Sequence, residues 1–246
     1  ICRDNGQDIK ASKLTTPETL ELHEILCESI SNGCDTLVME VSSQGLKYKR
    51  VEDLKYKIGV FLNIEEDHIS GLEHQSFDDY FHSKMELFKH CEIVCINADI
   101  DEKYRYEIMD FAVQNKCKIV TFGTKEWAYY RGTIVEENIN HIIFELIYGS
   151  FVSTFQLNMG GAHNITNALA AIAVCKELGV SIRYIEKGLE QVKVPGRMEV
   201  FDIPGKDAKV IVDYAHNEMS YRALFDTIDA NYTNYSGTTC FVASIF

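Results

Sequence analysis

Short apolar runs alternate with amphipathic stretches along most of the chain. Residues 36–41 (TLVMEV), 58–64 (IGVFLNI), 92–97 (EIVCIN) and 118–122 (KIVTF) are apolar runs of strand length. Continuous apolar runs of this size suit strands covered on both faces. Helical spacing lies between them. Leu20, Leu22, Ile25 and Leu26 predict a helix over 17–31, and residues 77–88 and 104–115 predict two more. Alternation of this kind predicts a mostly parallel sheet with right-handed crossovers and helices on its faces. Between residues 129 and 159 the pattern changes to RGTIVEE, HIIFELIYG and FVSTFQLNM. These alternating runs predict an antiparallel meander attached to the main sheet. Helices are predicted again over 164–178 and 182–191. Val194, Pro195 and Gly196 then break the pattern and suit an interdomain hinge. Strands over 198–202 and 209–214 and a helix over 220–230 follow. The predicted fold class is α/β.

Candidate chemistry gathers where the apolar runs end. Residues 58–64 run into Glu65, Glu66, Asp67 and His68. In an open α/β sheet ligands bind outside the carboxyl ends of strands, and carboxylates with a histidine suit a divalent cation. Lys84 follows on the helix of residues 77–88. A lysine beside a cation loses its proton readily, because positive charge and partial burial both disfavour the ammonium. Glu40 stands inside the run 36–41, so burial would demand a cation or a hydrogen-bond donor. Glu40 and His68 are thereby expected at one edge of the sheet. Plainer readings stand beside these. An acidic turn after a strand is ordinary, and a lysine on an amphipathic helix is usually solvated. Thr16 before Pro17, Asn164 before an apolar helix, and His216 with Asn217 all suit helix caps. Capping and anion binding are compatible at a helix N-terminus.

Five segments in order give the chain a family likeness. MEVSSQGLKYKRV, LNIEEDHIS with a downstream SK, GAHNITNALAAIAV, VPGRMEVF and VIVDYAH resemble the motifs of the Mur ligases. The resemblance is nearest to the MurE-type UDP-N-acetylmuramoyl-dipeptide ligases and runs from about residue 15 to about residue 224. It implies a Mur-ligase central domain over 1–197, lacking its phosphate-loop part, and the start of a Rossmann-like C-terminal domain over 198–246. It implies ATP-dependent addition of a third residue, L-lysine or meso-diaminopimelate, to UDP-N-acetylmuramoyl-L-alanyl-D-glutamate through an acyl phosphate. Such chemistry needs positioning and charge neutralisation more than a protein nucleophile. By the same resemblance Glu40 and His68 are ligands of Mg2+, and Lys84 is carried as a carbamate that helps hold a second metal. Thr15, Thr16, Ser42 and Arg50 contact the muramoyl dipeptide, Arg50 because a guanidinium binds oxyanions in a bidentate manner. His163, Asn164 and Asn167 lie beside the nucleotide. Arg197 approaches the ATP phosphates, Asp213 binds the ribose, and Tyr214 and His216 flank the nucleotide. ATP is expected between the central and third domains, with closure about the hinge excluding water from the acyl phosphate.

The sequence also departs from the family pattern. Gln44 stands where many relatives have His, Tyr48 where some have a substrate-contacting Gln, and Asn217 where Thr often follows DYAH. SSQ and the LEHQ stretch of residues 72–75 resemble the branch in which lysine is often added. No G-x-x-x-x-G-K-[ST] loop occurs in the 246 residues. The chain is therefore expected to be an internal part of a longer enzyme, with the amino-acid-selecting motif beyond Phe246. As it stands it is not expected to catalyse ligation.

Composition narrows the remaining classes. A net charge of −13 argues against a general nucleic-acid surface. The eight cysteines include no CxxC pair, which suits reduced thiols in a cytoplasmic protein. No apolar stretch reaches membrane-span length, and ICRDNGQDIK has no hydrophobic signal segment. A monomer is expected. A folylpolyglutamate synthase-like ligase shares the implied fold and chemistry, but KLTTPE, EVSSQ and DYAH favour the MurE type. Glu40, His68 and Lys84 together argue against a non-catalytic Mur-like binding protein, while the missing phosphate loop leaves that reading open. A metal-dependent hydrolase would leave HNxxN and DYAH unexplained.

Overall fold

The computed structural model describes residues 2–65, 74–215 and 218–233. The chain divides into two compact units. One holds residues 1–96 and 100–120, the other residues 97–99 and 121–246.

The first unit opens with a two-stranded antiparallel hairpin, β1 (Cys2–Asp4) and β2 (Ile9–Ala11). Helix α1 (Thr19–Ser31) follows, then the five-residue helix α2 (Ser43–Lys47). Strand β3 (Tyr56–Phe61) leads to helix α3 (Phe77–Met85), which tightens into a 3-10 turn at Glu86–His90. Strand β4 (Cys91–Asn97), helix α4 (Glu102–Gln114) and strand β5 (Lys118–Gly123) complete the alternation. β3 and β4 pair in parallel, Ile58 opposite Ile93 and Phe61 opposite Ile96. One core joins the strands to α3 and α4: Phe61, Val94 and Ile96 pack with Phe81, Met85, Phe88, Ile108 and Ala112. Burying such side chains contributes about 1.5–3 kcal/mol each, so this core holds α3 firmly against the sheet.

The second unit carries the meander β6 (Tyr130–Glu137), β7 (Ile142–Tyr148) and β8 (Phe151–Leu157). β6 pairs in parallel with the end of β5, while β6–β7 and β7–β8 are antiparallel. The strand order of the sheet is β3-β4-β5-β6-β7-β8. Helices α5 (Asn164–Glu177) and α6 (Ile182–Gln191) pack on β6 and β8. Close approach of α5 depends on Gly132, where a Cβ would stand 2.8 Å from a Leu169 methyl. Beyond a break at residues 192–198 come an antiparallel pair, β9 (Glu199–Asp202) and β10 (Lys209–Val212), and helix α7 (Glu218–Asn231).

One expectation needs correction. Residues 36–41 are not a strand: they run outside helix and sheet, with Val38 91% exposed and the Glu40 side chain exposed. Among the described residues no strand hydrogen-bonds to them, because β3 pairs only with β4. The alternation survives in part, since Met39 and Val41 pack on Leu22, Leu46 and Val51. Glu40 therefore needs no partner to offset burial. Of the apolar residues that predict α1, Leu22 is buried and Leu20 is exposed. The other elements lie within a few residues of expectation.

Candidate functional site

In the first unit the residues before α1 and α2 are locked together by Thr16. Its side chain is fully buried; the hydroxyl donates to the Glu40 carbonyl (3.1 Å) and accepts from the Ser42 N–H (2.8 Å). Thr16 therefore does not cap α1, whose N-cap is Glu18 without a side-chain bond. Ser42 caps α2 instead, its Oγ accepting from the Gly45 N–H at 3.0 Å. Gly45 is required there, because a Cβ would lie 2.8 Å from the Thr16 methyl. Arg50 reaches back over this turn. One terminal nitrogen donates to the Thr16 carbonyl at 3.3 Å, and the other pairs with Glu18 at 2.8 Å. Thr15 is half-buried beside them. Thr15, Thr16, Ser42 and Arg50, expected to contact one substrate, thus belong to one turn, to which the backbone of the exposed Glu40 is bonded.

Helix α3 is fastened to the same turn. Ser76 caps it by accepting from the Asp79 N–H, and Asp78 and Asp79 sit in its positive first turn. The Asp79 carboxylate accepts from Lys47 at 2.5 Å and from the Gln75 N–H at 3.0 Å. These bonds, the lysine first, hold its pKa below the usual carboxylate value. His74 has a fully buried side chain and meets Ser43 Oγ through Nε2 at 2.9 Å. On the next turn of α3 the Lys84 ammonium lies 4.9 Å from the centre of the Tyr80 ring. Sequence reading passed over His74, Asp79 and Lys47. The available signal was the S-x-x-D capping pattern at Ser76–Asp79 with a histidine just before it.

His68 and His216 lie outside the described residues, as do Glu66 and Asp67. Among the described residues no three His, Cys, Asp or Glu side chains are placed to hold a metal ion. The described part of the expected set still fits a hard cation in kind: Glu40 offers an exposed carboxylate, and a carbamate on Lys84 would add oxygens.

The second unit holds the residues expected around a nucleotide. His163 precedes α5 and is its N-cap, without a side-chain cap bond. A Cβ on Gly161, whose φ of +86° suits glycine, would press on that ring at 2.7 Å. Asn164 is buried; its amide donates to the Gly160 carbonyl at 2.7 Å, so it braces the loop rather than capping the helix. The exposed Asn167 donates to Asn164 at 3.1 Å. Asp213 accepts from the Met198 N–H (2.9 Å) and the Ala215 N–H (2.8 Å), tying the end of β10 to the break before β9. The Arg197 guanidinium lies 4.8 Å from the centre of the exposed Tyr214 ring. Met198 takes a φ of +50°, a strained value for a residue with a side chain. Desolvation is the main cause that lowers the His163 pKa, and Arg197 acts in the same direction. The Asp213 and Glu137 carboxylates oppose it. The residue keeps solvent access, which limits the shift. His163, Arg197, Asp213 and Tyr214 are thus close enough to feel one another's charge or ring.

Residues 4–175 match the family described as Mur ligase middle domain, more than half of the chain. The chain belongs to the Mur ligase family. Among curated relatives, it is 37% identical over 226 residues to UDP-N-acetylmuramoyl-L-alanyl-D-glutamate–L-lysine ligase of Streptococcus mutans, covering 92% of this chain and 44% of that protein. It is 36% identical over 225 residues to UDP-N-acetylmuramyl-tripeptide synthetase of Lactococcus lactis, with 92% and 44% covered. Among solved structures, a UDP-N-acetylmuramoyl-L-alanyl-D-glutamate–2,6-diaminopimelate ligase superposes with a TM-score of 0.74 at 24% identity, over 89% of this chain and 45% of that one. That likeness carries the fold alone. This Mur ligase chain spans less than half the length of the curated relatives it matches.

Proposed function

We propose that the protein is an ATP-dependent amide-bond ligase of peptidoglycan precursor synthesis. It joins L-lysine to the D-glutamyl carboxylate of a UDP-N-acetylmuramoyl dipeptide. The observation that carries this reading is the turn in which the buried Thr16 hydroxyl joins the Glu40 carbonyl to the Ser42 N–H and Arg50 reaches the Thr16 carbonyl, so that the residues proposed to hold the dipeptide converge. Choice of lysine rests on relatives such as the S. mutans protein, named for L-lysine. A folate-type ligase is the second reading, and nothing in this turn favours it.

The reaction has two steps. A carboxylate oxygen of the dipeptide attacks the γ-phosphorus of ATP, and the bond to the β-phosphate oxygen breaks to release ADP. The amine of the amino acid then attacks the acyl carbon, phosphate leaves with the oxygen that was phosphorylated, and the amine gives up a proton. Thr15, Thr16, Ser42 and Arg50 hold the dipeptide in this reading. Arg50 would exchange its Glu18 partner for an anionic group of the substrate. His163, Asn164, Asn167, Asp213, Tyr214 and His216 hold the nucleotide, and Arg197 neutralises its phosphates. Glu40, His68 and the Lys84 carbamate would hold Mg2+, which when bound neutralises charge on the phosphates. The proposal includes the division into a central domain over 1–197 and a C-terminal domain from 198, with residues 194–196 as hinge. The strained φ of Met198 supports flexing there. It also includes a cytoplasmic monomer without nucleic-acid partners. No described helix is long and apolar enough to cross a membrane.

The test is chromatography of the UDP-linked product made by the protein expressed from its complete reading frame. With dipeptide, ATP and Mg2+, lysine should yield a UDP-muramoyl tripeptide and one ADP per product. Turnover of diaminopimelate but not lysine would refute the lysine choice. No turnover with either, but turnover of a folate, would refute the proposal.

A further inference from the structure

We infer that His74 is a positioning residue that sets the muramoyl-dipeptide turn against the Lys84 helix; this inference rests on the ligase reading above. The side chain is fully buried, an uncommon place for a histidine. Its contacts run in three directions. Nε2 meets Ser43 Oγ at 2.9 Å, one residue beyond the proposed substrate ligand Ser42. Nδ1 faces Asp79 Oδ2 at 3.5 Å, and the same oxygen accepts from Lys47 at 2.5 Å. The ring meets Tyr80 edge-on at 5.3 Å between centres, and Tyr80 presents its face to the Lys84 ammonium.

Helix α2 is too short to hold its own position, since a five-residue helix is unstable alone. His74 fixes its first residue, Ser43, and Asp79 fixes its last, Lys47. Both anchors lie on or just before α3, which the main core holds against the sheet. The clamp therefore transmits the position of α3 to the turn of Thr16 and Ser42. The Asp79 carboxylate favours the proton on Nδ1, which leaves Nε2 to accept the Ser43 hydroxyl proton. None of His74, Ser43, Asp79 and Lys47 is among the groups proposed to hold the dipeptide, so the contribution assigned to His74 is geometric.

The experiment measures steady-state kinetics and melting of His74→Ala, His74→Gln and Ser43→Ala in the protein expressed from its complete reading frame. His74→Ala should raise KM for the UDP-muramoyl dipeptide about tenfold or more, as expected when one positioning hydrogen bond is lost. KM for ATP should stay within about twofold. His74→Gln, which can still bond Ser43, should recover most of the loss. If His74→Ala does not fold, Ser43→Ala must show the same selective rise. Wild-type kinetics in both variants would overturn the inference while leaving the ligase reading intact. So would an equal fall in every parameter without recovery by glutamine, the mark of a merely structural residue. A wild-type protein that fails to ligate sinks the ligase reading itself, and the inference with it.

Discussion

Thr16 shows how much one hydroxyl can organise. Thr16→Val keeps the shape but leaves the Ser42 N–H and the Glu40 carbonyl without this partner. It should cost about 1–3 kcal/mol in urea unfolding. Lys84→Ala should remove most ligation with little change in melting. Added short carboxylates should partly restore turnover, because they can stand where the carbamate would be; full turnover without them would refute the carbamate role. His163 gives a pH signature. Its folded pKa lies below the ordinary 6.5. As pH falls below 6.5 the unfolded chain therefore binds a proton before the folded one does. Stability should be flat above that value and decline as pH drops from it toward the lower folded pKa. His163→Gln should show less of this decline in melting scans; an identical profile would contradict the shift. Asp79 acts in a lower window, because its folded pKa is depressed. Its stabilisation is present above the ordinary 3.8 and is lost as pH falls through the lower folded value.

Short helix α2 and the run before it are the elements most sensitive to substitution. Gly45→Ala drives a methyl against Thr16, and should cost about 1–3 kcal/mol by the overpacking rule. A melting midpoint equal to wild type would contradict the packing described here. Most elements were legible because their periods are clean. The core strands read as apolar runs, and the meander read as alternation that β6, β7 and β8 obey. Residues 36–41 misled for a physical reason. An apolar run becomes a strand only when a neighbour supplies hydrogen bonds, and composition carries no information about that neighbour. Site legibility followed the same divide. Motif likeness singles out Thr16, Ser42 and Arg50 as candidates, and the structure brings these candidates together. His74 was overlooked, because its importance comes from burial between Ser43, Asp79 and Tyr80, and no local spacing announces that.

Across the molecule, two compact units carry two different sets of candidate residues: dipeptide and metal groups in one, nucleotide groups in the other. The family match spans residues 4–175 and so includes residues of both. The proposed chemistry requires that the dipeptide carboxylate itself be phosphorylated. The decisive measurement uses dipeptide carrying 18O in the D-glutamyl carboxylate, with the protein expressed from its complete reading frame, ATP and lysine. One 18O atom should appear in each released phosphate, because the oxygen that attacks the γ-phosphorus leaves with it. Phosphate free of label, formed alongside tripeptide, would contradict the acyl phosphate route.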